Sequence, residues 1–291
     1  MLGMPIRTLT WVVYGPRRAS YYTTWQVSKR NGRGVREIRA PRSTLYTIQK
    51  RLHEILQEQY EPREPTHGFV LRRSVGTNAR PHVGRSLVLN VDLKDFFPTI
   101  NYGRVRGLFL RSPFNLNEDV ANLLAKICCW ENRLPIGAPT SPVVSNMICL
   151  RMDRELQALA GRRACWYTRY ADDLTFSTNR SAFSPRIAVL AGPADEQAVV
   201  LGEELVGILS TNGFEPNLEK TRLRTSHQRQ SVTGLVVNEL INVDRRDIRR
   251  IRAMLHAWSK FGLANAHTFR STIEKTVILV PSRRFRMFFG G

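Results

Sequence analysis

The chain is short of acid. Its 291 residues carry 24 Asp and Glu against 44 Lys and Arg, a formal charge of +20. That imbalance argues against a neutral housekeeping surface and points to a polyanionic partner, nucleic acid first of all. Most of the excess is arginine, whose flat fork suits phosphate better than a point charge does. The plainer alternative is a basic protein that is merely soluble. Cysteine is also scarce: Cys128, Cys129, Cys149 and Cys165 form no C-x-x-C pair. Adjacent Cys128 and Cys129 cannot both ligate one zinc at the usual spacing, so the four read as buried thiols in a reducing compartment. Long apolar runs are missing too. No stretch approaches a membrane span, and "LTWVVYG" is too short, and too soon followed by Pro16, Arg17 and Arg18, for a signal peptide. A cytoplasmic protein with no membrane partner is expected. There is no internal repeat and no long low-complexity linker. Hydrophobic residues, 42% of the total, are spread throughout and can build one large unit or two modest domains.

The patterning predicts an α+β layout. A strand is expected in "RGVREIRAP" (33–41), ending at Pro41. A helix over 43–60 has Ser43 as its cap and Leu45, Ile48, Leu52, Ile55 and Leu56 on one face. "SLVLNVDLKDFF" (86–97) reads as a strand, 117–130 as a helix, and 137–160 as a Gly/Pro-punctuated loop opening into a long helix. A strand–turn–strand hairpin surrounds Asp172 and Asp173. A helix over 195–213 follows, stopping at Gly213, and then a strand over 231–238. Helices on one face of a small antiparallel sheet fit this order. The tail, 239–291, reads as a separate helical piece. There Asp244 can cap a helix with an apolar stripe of Ile248, Ile251, Leu255 and Trp258. Arg245, Arg249, Arg252 and His256 lie on a neighbouring face, a nucleic-acid-facing row or a solvated flank.

"YTRYADDLTFS" (167–177) sets two carboxylates side by side at a hairpin tip, and Asp92 ends the strand "LVLNVD" 80 residues before Asp172. If the strands are neighbours, the carboxylates converge, which like charges tolerate only with positive charge beside them. Oxygen ligands suit Mg²⁺, and two such ions about 3.5–4 Å apart could serve phosphoryl transfer. An isolated Asp pair at a turn more often caps the backbone.

The match is not isolated. "LVLNVDLKDFFPTI", "LPIGAPTSPVVSNMIC", "YTRYADDLTFS" and "GFEPNLEKTRL" together, in this order, resemble a reverse transcriptase. "NARPH" (78–82) and "VTG" (232–234) resemble the signatures of the retron type. "THGFV" (66–70) and "REIRAPRSTLYTIQKRL" (36–52) are similar to retron enzymes as well, and the resemblance covers roughly residues 25–260. One departure is Ile136, where the family usually has Gln.

The resemblance implies a right-hand polymerase: an N-terminal segment and fingers (1–85), a ferredoxin-like palm (86–238, with a fingers insertion about 103–136) and a short helical thumb (239–291). It implies Asp92, Asp172 and Asp173 as metal-site carboxylates for two Mg²⁺ ions, with Mn²⁺ able to substitute, and dNTP substrates. Lys220 would neutralise the departing pyrophosphate and is placed with the catalytic group. Phe97 would stack beneath the sugar, with Phe96 the core residue, since successive strand residues face opposite sides. Gly137 lies in the nucleotide-positioning motif. Arg36 or Arg39 would grip the triphosphate. Asn78 and His82 would contact the enzyme's own RNA or shape the surface that does, with Arg245, Arg249 and Arg252 as further RNA contacts. Tyr21, Tyr22 and Trp25 read equally as base-stacking or buried aromatics.

The implied partners are a cognate structured non-coding RNA, its DNA product and an effector encoded nearby. The implied reaction starts from an RNA 2′-hydroxyl and yields a branched RNA–DNA hybrid, in antiphage defence. RNA trimming would need a host enzyme, since no RNase H segment is recognisable. The rivals are another bacterial reverse transcriptase, of group II intron or abortive-infection type, and an inactive RNA-binding polymerase fold. N-A-x-x-H, V-T-G and the lack of a maturase or endonuclease segment weigh against the first, and the three aspartates against the second.

Overall fold

A computed structural model describes residues 3–28, 34–192 and 198–265. They fall into two compact units, one within 1–27 and 35–242, the other within 28–34 and 243–291.

The first unit opens with α1 (Ile6–Tyr14), whose Leu9, Val12 and Val13 are buried. Strands β1 (Tyr22–Ser28) and β2 (Val35–Pro41) form a two-stranded sheet. Helix α2 (Ser43–Gln59) buries Leu45, Ile48, Leu52 and Leu56, the expected face. Its N-cap is Arg42 rather than Ser43, whose φ of 52° takes it out of capping geometry. Next come α3 (Val75–Ala79), β3 (Leu87–Leu93), α4 (Phe96–Thr99), α5 (Tyr102–Leu110) and α6 (Glu118–Cys128). Asn117 caps α6 by accepting the Val120 N–H. The long helix expected after the Gly/Pro loop is two, α7 (Ser141–Ile148) and α8 (Leu150–Arg162), meeting at Cys149.

The catalytic-type hairpin is β4 (Trp166–Tyr170) and β5 (Asp173–Thr178). The helix expected over 195–213 is a correction. Residues 193–197 lie outside the described ones, 198–201 form β7 (Ala198–Leu201) paired with β6 (Ala188–Ala191), and only α9 (Glu203–Thr211) is helical. Val199 and Val200 are β-branched and suit the hairpin better than a helix. "NLEKTRL" is part of a ten-residue strand, β8 (Pro216–Thr225).

The four-stranded sheet has the order β4–β5–β3–β8. With β3 paired antiparallel to β5 on one side and β8 on the other, and β4 paired antiparallel to β5, this is the ferredoxin-like arrangement. Strand β3 is central and reads as an apolar run interrupted only by Asn90 and Asp92, which are half-buried. Its partners hide it on both edges, which is why nearly every position can be apolar. The core runs from α1 and α2 through the helices to this sheet.

The strand expected over 231–238 is instead a tight hairpin, β9 (Ser231–Val232) and β10 (Leu235–Val236). Thr233 and Gly234 turn it with φ of 46° and 86°, the paired left-handed geometry of a two-residue hairpin turn. V-T-G is thus a turn signature. Asn78 Nδ2 donates to Thr233 Oγ1 at 3.5 Å, joining the two signatures. Ala79, Val88, Val232 and Val237 make a small second core around them. His82 is buried, with Nδ1 2.7 Å from Ser177 Oγ and Nε2 2.8 Å from Thr168 Oγ1. Burial, then Arg85 and His67, push its pKa down to about 3, so the ring is neutral.

In the second unit α10 spans Arg245–Asn265, with Asp244 Oδ1 accepting the Arg246 N–H at 2.9 Å, the expected cap. Arg245, Arg249 and Arg252 are exposed. The apolar stripe is largely exposed as well: Ile251, Leu255 and Trp258 stand 52%, 53% and 44% open. The tail beyond residue 265 lies outside the described residues. No described helix is long and apolar enough to cross a membrane.

Because His82 bonds two buried hydroxyls across β4 and β5, His82→Ala takes a partner from each, leaving Thr168 only its long bond to Asn78 O, and opens a cavity beside them. It should cost about 2–4 kcal/mol, read as a fall in the urea midpoint; an unchanged midpoint would remove the imidazole from the list of fold determinants.

Candidate active site

The site lies where β3, β5 and β8 carry charged residues at one end of the sheet. Asp92 and Asp173 are register partners across the β3–β5 ladder. Asp172 occupies the turn just before β5, and its carbonyl accepts the Leu93 N–H at 2.9 Å. Ala171, also in the turn, has φ 58°, a left-handed conformation that a residue with a Cβ adopts only when its surroundings impose it.

Crowding shows in the titration of these groups. Burial first, then repulsion from Asp92, raises the Asp172 pKa, while Arg36 and Lys220 oppose the rise. Desolvation, then repulsion from Asp172 and Asp92, pushes Asp173 up to about 7. The Asp173 side chain is open to solvent on one side, so repulsion is the firmer part of its shift.

Positive charge arrives from two directions. In the β3–β8 ladder Asn90 pairs with Arg222 but Asp92 with Asn217, so β8 bulges between them and Lys220 stands in the bulge. Its Nζ lies 2.9 Å from both Asp92 oxygens. From β2, Arg36 is close enough to lower the pKa of Asp172 and Asp173. Arg39 is committed elsewhere, with Nε 2.7 Å from Glu37 and Nη1 2.6 Å from Glu131. Of the two arginines, Arg36 is the one whose charge acts on Asp172 and Asp173.

Gly137 holds the nucleotide-positioning loop against β2. Its φ is 105°, and a Cβ there would stand 2.8 Å from Ile38 Cγ2. The neighbouring Ile136 carbonyl accepts the Arg39 N–H at 2.8 Å, so the residue that departs from the family pattern still docks the loop through its backbone. Phe96 is buried and stacks on Phe214 at 5.5 Å, and Phe97 is half-buried. Phe96 is the more buried of the two, as expected, but the cause is different: Phe96–Thr99 is helical, so the rings diverge by helical rotation, not strand alternation.

Phe69 escaped the sequence reading as a site residue. Its ring lies 6.3 Å from Phe97 and 6.4 Å from Tyr170, bridging "THGFV" to the catalytic hairpin; the likeness of that segment to retron enzymes was the available signal. Asn78 and His82 are fully buried. Neither side chain reaches the surface; their hydrogen bonds run inward, to Thr233 and to Ser177 and Thr168. Tyr22 is core, 4.5 Å from the Trp130 ring, whereas Trp25 is 44% exposed.

Among the described residues, no three His, Cys, Asp or Glu side chains form a ready cation cage; Asp92 is paired with the Lys220 ammonium instead. The donor set nonetheless fits a hard divalent cation, because it is all carboxylate oxygen and holds unrelieved negative charge.

A family model described as reverse transcriptase (RNA-dependent DNA polymerase) matches residues 27–238. Retron Mx65 reverse transcriptase of Myxococcus xanthus is 38% identical over 286 residues, covering 91% of this chain and 63% of that protein. Retron Mx162 reverse transcriptase, from the same organism, is 34% identical and covers 88% and 56%. Retron Ec86 reverse transcriptase of Escherichia coli is 36% identical over 190 residues, covering 65% and 54%. The chain belongs to the reverse transcriptase family, in its retron type. It spans just over half to under two thirds of the length of these relatives.

A carboxyl whose folded pKa lies above its unfolded value of about 3.9 stabilises the fold below that value. It gives the contribution up as pH rises through about 7. In EDTA, Asp173→Asn should therefore gain thermal stability over wild type progressively between pH 5 and 8. Parallel melting curves across that range would contradict the crowding.

Proposed function

We propose that the protein is an RNA-directed DNA polymerase that copies part of a cognate structured non-coding RNA. The observation that carries this reading is the pairing of Asp92 with Asp173 in one ladder, with Asp172 adjacent and Lys220 and Arg36 converging on them.

Asp92, Asp172 and Asp173 would hold divalent cations, Mg²⁺ with Mn²⁺ able to substitute, since an all-oxygen donor set suits both. Bound there, two such ions supply the charge that activates an attacking hydroxyl and steadies the leaving oxygen. The chain's own groups do the rest. Arg36 attracts and orients the triphosphate of the dNTP. Lys220, which stands 2.9 Å from both Asp92 oxygens, would neutralise charge on the departing pyrophosphate. Phe97, supported by Phe69, bounds the sugar and favours deoxyribose. Gly137 lets the loop approach β2 and the nucleotide closely.

In this reading 1–85 with about 103–136 serve as fingers, the rest of 86–238 as palm and 239–291 as thumb. The exposed Arg245, Arg249 and Arg252 of α10 contact RNA phosphates. Asn78 and His82 act indirectly, by building the surface on which structured RNA is read by shape. The finer parts of this reading, priming from an RNA 2′-hydroxyl, a branched RNA–DNA product, an effector partner and antiphage defence in the cytoplasm, are what the retron resemblance implies.

The reading is tested by purifying the chain with its flanking non-coding RNA and adding dNTPs and Mg²⁺. RNase-resistant DNA is expected from wild type and none from a well-folded Asp172→Asn, Asp173→Asn double variant; DNA from that variant would refute the assignment. Reversing charge at Arg249 and Arg252 should weaken RNA binding at physiological salt and lower the salt slope by roughly 2, whereas unchanged affinity would take α10 off the RNA.

A further inference from the structure

The largest fully buried side chain is a charged one, Arg169 on β4. Its partner Asp153, on α8, is equally buried. Arg169 Nε and Nη2 each donate to an Asp153 oxygen at 2.7 Å. The carboxylate is completed by Tyr167 Oη and Thr66 Oγ1, both at 2.9 Å. A buried ion pair is poor value as stabilisation, because desolvation offsets most of the attraction. Its geometry suggests another use.

The third nitrogen of the guanidinium leaves the pair. Nη1 donates at 3.1 Å to Asn146 Oδ1 and at 3.1 Å to the carbonyl of Ala171. That carbonyl belongs to the peptide plane that ends at the nitrogen and Cα of Asp172. The next plane is held from the opposite side, where the Asp172 carbonyl accepts the Leu93 N–H. Both planes flanking Asp172 are therefore pinned, one by Arg169 and one by β3. The left-handed Ala171 between Tyr170 and Asp172 is the residue most in need of such restraint.

The backbone of the same residue is fastened to the segment that the sequence had marked without a role. Arg169 N–H donates to Pro65 O at 2.7 Å, and His67 N–H donates to Arg169 O at 2.8 Å. Asn146 Nδ2 donates to Gly68 O at 2.9 Å. A Cβ on Gly68 would lie 2.5 Å from Ala171 N, so the strap rests directly on the turn.

We propose that Arg169 is a positioning residue for nucleotidyl transfer, anchored by Asp153 and acting through the Ala171 carbonyl to set the direction in which Asp172 presents its carboxylate. The role rests on the polymerase reading above. Lysine at this position could keep one contact to Asp153 but could not fork to two oxygens and also reach Ala171.

The test uses the full chain on an oligo(dT)-primed poly(rA) template. Arg169→Lys, assayed well below its melting temperature, should lose at least tenfold in kcat. It should also need several-fold more Mg²⁺ for half-maximal rate, with the KM for dTTP within twofold of wild type. A loss of stability alone would lower active-site concentration without moving the Mg²⁺ midpoint. Should Arg169→Lys fail to fold, Asn146→Ala keeps the Arg169–Asp153 pair while removing one of the two acceptors of Nη1 and the bond to Gly68 O; the same two shifts are expected, smaller in size. A folded variant with wild-type kcat and Mg²⁺ midpoint would overturn the positioning role. A wild-type chain that makes no DNA would instead overturn the polymerase reading, and this proposal with it.

Discussion

Negative charge set against negative charge across a hydrogen-bonded ladder is the constraint from which the rest of the site follows. Asp92 faces Asp173, with Asp172 one residue away. Backbone pairing of β3 with β5 holds them there despite their repulsion, because a sheet register cannot shift by one residue without turning every side chain to the wrong face. The surroundings answer with cations. The bulge in β8 delivers Lys220 to Asp92, and β2 brings Arg36 within reach of the other two. A palm organised this way is electrostatically incomplete without a positively charged partner, and that incompleteness is what a metal-bound nucleotide would relieve.

The two motifs that mark the retron type have a structural rather than a chemical character. Asn78 reaches Thr233, His82 bridges β4 to β5, and the apolar residues between them close a core of their own. Segments more than 150 residues apart in sequence thus form one local body against the outer strand of the sheet. Its imidazole is neutral and inaccessible, so any contribution to RNA recognition passes through the shape of what it supports.

Much of this was legible in the chain. Strand β3, helix α2 and the β4–β5 hairpin announce themselves because one dominant pattern, apolar periodicity or a polar turn between β-formers, acts alone there. The misreadings occur where two signals compete. Residues 198–201 carry helix-compatible spacing but β-branched valines, and pairing with β6 decided for strand. Ser43 looked like a cap, yet its backbone is turned the wrong way. Phe96 was expected in the core and is there, but for a different reason, since the strand had already ended at Leu93. What no local pattern could reveal is tertiary: that Arg169 points inward to Asp153, that Phe69 spans two aromatic rings, and that Arg36 rather than Arg39 turns toward the carboxylates. An arginine in a basic chain looks like surface until the fold shows what surrounds it.

The parallel seam between Thr66 and Arg169 has a mechanical corollary. Backbone hydrogen bonds run along it in both directions, and Gly68 leaves no gap over Ala171. Loop and turn must travel as one piece. A bend at residues 65–68 would break these bonds or press Gly68 into Ala171, so the loop gives the acidic turn a fixed footing.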